Sequence, residues 1–119
     1  MDGIEAYKEN SVATQSSGRL VVLLYEGAIR FLKQAIKEME ERDYADKGKY
    51  IGKAIDVIDE LNYCLDVEVG GETAMNLRKL YFFMTRHLNE AHLRQDPVRV
   101  REVIALLEDL NQAWKALTV

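Results

Sequence analysis

Apolar residues recur along this chain at intervals of three and four in four separate runs, the spacing of amphipathic helices rather than the alternation of half-buried strands. The polar stretch Asn10-Ser11-Val12-Ala13-Thr14-Gln15-Ser16-Ser17-Gly18 divides a short leading segment from the first run, with Ser16 or Ser17 placed to act as N-cap. That run predicts a helix over 17–42. Asp43, with Asp46 three residues on, resembles a capping arrangement and opens a second run over 43–67, whose stripe is Ile51, Ala54, Ile55, Ile58, Leu61 and Leu65. Gly70-Gly71 interrupts the pattern, because glycine accepts the positive φ of a helix C-terminus, and Glu72 suits the start of the next helix dipole. A third helix over 72–95 then carries Leu77, Leu80, Tyr81, Met84, Leu88 and Ala91 on one face. Asp96-Pro97 starts the fourth, over 97–117, since Asp can cap and Pro gives up only an N–H that has no helical partner. Its stripe is Val100, Val103, Ile104, Leu107, Leu110, Trp114 and Leu117.

Helices joined by connections this short must reverse, so the expected fold is an all-α, antiparallel up-down-up-down four-helix bundle about 30 Å long. At 119 residues it fits a single domain with a core of its own. Residues 1–16 are left over, as a short N-terminal helix or a lid segment.

The first helix is wider in its apolar face than a single contact requires. At about 100° per residue its apolar positions sweep roughly 200°, against the ~100° that a surface helix commonly buries. Leu20, Leu24, Ala28, Phe31 and Ala35 make one stripe, and Val22, Tyr25, Ile29, Leu32 and Ile36 make a second beside it; either can be the inner one. On the third helix Met75, Phe82 and Leu93 stand about a third of a turn from the core stripe, with Phe83 elsewhere again. Two readings stay open. A helix that touches two neighbours is wide-faced for that reason alone; alternatively the surplus is covered by a partner or by the leading segment, since each such residue left in water forgoes about 1.5–3 kcal/mol. Gly27, which costs about 0.5–1 kcal/mol relative to Ala inside a helix, suggests close approach by another backbone.

Composition narrows the function classes. With 48% hydrophobic and 30% charged residues the chain has the balance of an ordered helical protein. Its net charge of -4 arises from intermixed signs, which leaves no uniformly basic surface for nucleic acid. The single Cys64 has no intramolecular partner, the first eight residues contain no apolar signal region, and no apolar run approaches the ~20 residues of a membrane span. A cytoplasmic location without membrane insertion is expected.

No enzyme, cofactor or metal is expected either. The string Gly48-Lys49-Tyr50-Ile51-Gly52-Lys53-Ala54 is one residue short of a phosphate-binding loop, has Ala54 where Ser or Thr belongs, and falls in a helical run. His87 and His92 are five apart and point to different helix faces, so they do not chelate as an i, i+4 pair. A histidine phosphotransfer domain is also a four-helix bundle, but that family's His is followed by a Lys-Gly pair, whereas Leu88-Asn89 and Leu93-Arg94 follow here. That class and a self-associating structural bundle are the alternative functions.

Four pieces, in order and spanning nearly the whole chain, carry a resemblance: Ala6-Tyr7; Leu24-Tyr25-Glu26-Gly27-Ala28; Gly70-Gly71-Glu72 with Asn76-Leu77 and Leu80-Tyr81; and Ala113-Trp114. Together they resemble the bacterial flagellin export chaperones of the FliS family. Gly18 stands where many relatives have Pro, and Phe82-Phe83 where a polar-aromatic pair is frequent. The resemblance implies a cytoplasmic bundle that binds the C-terminal segment of flagellin, prevents premature polymerisation and delivers it to the type III export gate protein FlhA; some members are also linked to FlgM and FliW. On this reading Val22, Tyr25, Ile29, Leu32 and Ile36, with Met75 and Phe82, form part of the flagellin groove. Ile4 and Tyr7 resemble the family's N-terminal segment, a lid over the groove that also contributes to gate binding.

Overall fold

The computed structural model describes residues 17–42 and 48–118. Ile4 and Tyr7 of the expected lid lie outside these residues, as do Asp43 and Asp46 of the expected cap. Four helices follow in order: α1 (Ser17–Glu41), α2 (Lys49–Tyr63), α3 (Val67–Arg94) and α4 (Pro97–Thr118).

Local chemistry sets their ends. Gly48 precedes α2 with φ 80, a backbone conformation that favours glycine, and a Cβ there would stand 2.8 Å from the His92 ring, which would have to shift. α2 stops at Tyr63, short of the expected Val67. The Cys64 N–H closes its last turn on the Glu60 carbonyl at 3.0 Å, and the chain then crosses over through Leu65 and Asp66. The Asp66 side chain accepts from the Val69 N–H at 3.1 Å, and this cap lets a helical turn form ahead of the glycines. The break expected at Gly70-Gly71 therefore falls inside α3, as a kink at Gly71 with φ 55 and ψ -130. α3 ends on Gln95 in the left-handed region, and Asp96 caps α4 by accepting from the Val98 N–H at 3.0 Å.

Each helix packs on two neighbours: α1 and α3 both lie against α2 and α4. Across α1 and α4 the ion pairs Glu26–Lys115, Lys33–Glu108 and Glu40–Arg101 ascend one helix while descending the other, so the two run antiparallel. Arg78 bonded to Asn62 at one end, with His92 against Gly48 at the other, gives α2 and α3 the same relation.

This arrangement accounts for the breadth of α1. Leu20, Ala28 and Ala35 of one stripe and Tyr25, Ile29, Leu32 and Ile36 of the other are all buried, because α2 takes one side of the helix and α4 the other. Gly27 does not mark a close approach: no heavy atom outside its own helix backbone lies within 4 Å of where its Cβ would be. The core is completed by Ile58, Leu61, Met84, Leu88, Val100, Val103 and Leu107.

At its centre two phenols meet. Tyr25 of α1 and Tyr81 of α3 come from diagonally opposed helices, and their hydroxyls are 2.5 Å apart. Trp114 adds a hydrogen bond to Tyr25. Burial pushes both phenols above their ordinary value of 10.0, because the charged form would be desolvated; for Tyr81 the charge of a Tyr25 phenolate would push further.

The glycines make opposite predictions. Gly27→Ala should stabilise the fold by about 0.5–1 kcal/mol, whereas Gly71→Ala, forced into a glycine-only conformation, should cost about 1–3 kcal/mol in urea unfolding. The phenols predict a pH limb. Unfolded tyrosines release their protons near 10.0 while the folded pair retains them. The pair's contribution is thus fully present below that pH and declines as pH rises toward the folded values, by up to about 1.4 kcal/mol per pH unit for each phenol. Urea midpoints between pH 8 and 12 should show a steeper decline for the native chain than for the Tyr25→Phe/Tyr81→Phe variant.

Candidate binding groove

The end of the bundle formed by the start of α1, the end of α2, the start of α3 and the end of α4 opens into a groove of about 650 Å³. Leu20 and Val21 contribute from α1, Leu61 and Tyr63 from α2, Val69, Ala74 and Leu77 from α3, and Trp114 from α4. Tyr81 lines it as well, so the central phenol pair is also part of the groove's floor. The wall is mostly apolar, suited to aliphatic and aromatic side chains with few polar contacts to fix orientation.

Tyr63 is 65% exposed and belongs to a second, smaller depression of about 360 Å³ with Asp59, Asn62, Arg78 and Phe82. Because both depressions share Tyr63, an uncovered surface continues from the end groove onto the face between α2 and α3. Arg78 Nε donates to Asn62 Oδ1 at 3.1 Å, which holds the side chains at the junction. Burial raises the Asp59 carboxyl above its usual range, and the neighbouring Asp56 adds to the effect. Val69 at 85% exposed, Phe82 at 54% and Met75 extend the apolar border.

The residues expected to form the groove divide sharply. Met75 and Phe82 are exposed on α3 as the reading requires. Tyr25, Ile29, Leu32 and Ile36 are core residues, held between the two helices that flank α1, which places them beneath the surface rather than on it as their assignment as cargo contacts expected. Val22 is half-buried and lies outside the core cluster. Sequence reasoning missed Tyr63 and Val69. Tyr63 was legible in principle, since it stands about 200° from Leu61 on a helix whose core positions are Ile51, Ala54, Ile58 and Leu61, an aromatic on the polar side. Val69 was not, because its exposure depends on the extra turn that Asp66 caps.

The histidines are engaged structurally. His87 Nε2 lies 3.0 Å from Glu102 Oε1 with its ring stacked on Phe83, and His92 packs against Gly48. Among the described residues no group of three or more His, Cys, Asp or Glu side chains is placed to hold a metal ion, and no helix is long and apolar enough to cross a membrane.

A helical bundle that leaves an apolar groove open at one end, bordered by exposed aromatics, belongs to the class of polypeptide-binding modules. The family model "Flagellar protein FliS" matches residues 1–119. The flagellar secretion chaperone FliS of Salmonella typhimurium is 40% identical over 98% of this chain and 90% of its own length. FliSB of Pseudomonas aeruginosa is 38% identical over 99% of this chain and 97% of its own length, and FliS of Bacillus subtilis 33% identical over 92% and 81%. The chain belongs to the FliS family of flagellar secretion chaperones.

Burial separates frame from groove in a measurable way. Leu32→Ala should cost about 2–5 kcal/mol of folding stability, whereas Phe82→Ser and Val69→Ser should stay within about 0.5 kcal/mol, as read from denaturant midpoints.

Proposed function

We propose that this chain is a cytoplasmic chaperone for flagellin, holding its C-terminal segment along the end groove and the adjoining face of α2 and α3. The observation that carries this reading is the apolar end groove, which shares the exposed Tyr63 with a smaller, more polar depression on the α2 and α3 face, so that the two lie along one track. A segment with no stable structure of its own binds by laying short apolar faces into such a track, spending part of the interaction energy on its own ordering. Cargo contacts come from Tyr63, Val69, Leu77, Met75 and Phe82, with Val22 at the margin. Tyr25, Ile29, Leu32 and Ile36 act from beneath, by setting where Tyr81 and the helix ends stand.

Covering the polymerisation-prone segment keeps flagellin from assembling early. Delivery to the export gate protein FlhA, and links to FlgM or FliW, follow from the family resemblance. By the family resemblance Ile4 and Tyr7 belong to a lid segment, and a lid that competes with cargo lowers apparent affinity by the fraction of molecules already open.

Calorimetry with flagellin, intact and lacking its C-terminal segment, tests this. Tyr63→Ser/Phe82→Ser should weaken binding of intact flagellin by about tenfold or more with thermal unfolding little changed, and Ile4→Ala/Tyr7→Ala should strengthen it. Equal binding of truncated flagellin, or an affinity indifferent to Tyr63 and Phe82, would overturn the assignment.

A further inference from the structure

On the side of the molecule between α1 and α4 lies a second groove of about 780 Å³, of opposite character. Arg30, Lys33 and Lys37 of α1 and Lys115 of α4 face two acids, Glu26 and Glu108. In a chain of net charge -4 this is a local excess of positive charge. Both acids are already engaged, Glu26 with Lys115 at 2.9 Å and Glu108 with Lys33 at 4.0 Å. Arg30 and Lys37 form no ion pair among the described residues.

The floor contains Ile29 and Asn111. Asn111 is 93% buried by its 7% exposure, and its Oδ1 has no hydrogen-bond partner. The orientation of the amide is determined by chemistry: Glu26 as a carboxylate only accepts, so the Asn111 Nδ2 faces it and the carbonyl oxygen faces away. A buried acceptor without a donor costs about 1–3 kcal/mol.

We infer that the α1/α4 groove docks an acidic amphipathic helix of a partner protein, with its carboxylates on Arg30 and Lys37 and an apolar side chain over Ile29. Glu26, Arg30, Lys33 and Lys37 are spaced as one stripe about 16 Å long, three turns of a helix laid alongside. The existing ion pairs are between exposed side chains and worth little, so Lys33 and Lys115 can exchange them for carboxylates of the partner at small cost. A phosphate backbone fits worse. It would carry unbroken negative charge past Glu26 and Glu108 and supply no apolar contact for Ile29.

The probe is a synthetic helical peptide with glutamates at i, i+4, i+7 and i+11 beside leucines, and a copy with lysines for the glutamates. Titrated into the isotope-labelled full chain, the acidic peptide should shift backbone resonances of residues 26–37 and 108–115 and bind more weakly as salt rises. Arg30→Glu/Lys37→Glu should weaken it by about tenfold or more and transfer preference to the lysine peptide. Equal binding of the two peptides, shifts confined to α2 and α3, tighter binding of a short DNA duplex to the same face, or a dimer of this chain that covers the groove would each overturn the inference.

Discussion

The hydrogen bond between Tyr25 and Tyr81 is the constraint on which the rest of the bundle depends. Adjacent helices in such a bundle can adjust by sliding ridges through grooves, but α1 and α3 touch no neighbour in common except through α2 and α4. The 2.5 Å contact of their hydroxyls is what relates the two diagonals directly. A phenol is large enough to reach the axis from either side, and its oxygen must find a partner once there, so this pairing is directional where leucine packing is not. Since Tyr81 also lines the end groove and Trp114 bonds to Tyr25, the shape of the groove floor is set by the same group of atoms that sets the register of the core.

That coupling explains why the breadth of α1 misled the assignment of the groove. Apolar periodicity reports how much of a helix is out of water, not what covers it. Tyr25, Ile29, Leu32 and Ile36 were legible as an apolar stripe and expected to meet cargo; they are buried, and the α2 and α4 faces that cover them are known only from the packing. Gly27 misled for a related reason. A glycine in a helix is consistent with a close neighbour or with open space, and its surroundings are open. By contrast, Gly70-Gly71 spoke clearly of a break, because positive φ is a property of the residue itself, and only the cap at Asp66 shifted where the break falls relative to the helix.

The groove was half legible. Met75 and Phe82 stood off the core stripe of α3 and are exposed, so surplus on a helix with two neighbours already counted is a better indicator than surplus on one whose neighbours are unknown. Tyr63 belongs to the same logic, an aromatic on a polar face. Val69 does not, since no periodicity survives across a kink. Ion pairing was the least legible of all, because Glu26, Lys33 and Glu40 meet partners 60 to 90 residues away in sequence whose register emerges only from the assembled bundle.

The two grooves differ in what they ask of an occupant. The end groove is apolar, so its affinity follows area and shape and changes little with salt, which suits a segment that must be held through a sequence-tolerant contact until release. The α1/α4 groove is lined by charges, of which Lys33 and Lys115 are already paired and Arg30 and Lys37 are not, so binding there returns specificity and salt sensitivity more than affinity. α1 contributes to both, through Leu20 and Val21 at its start and Glu26 to Lys37 beyond. A shift of α1 along its axis would alter the two together, and the contact that resists such a shift is Tyr25 on Tyr81, between the two sets of residues.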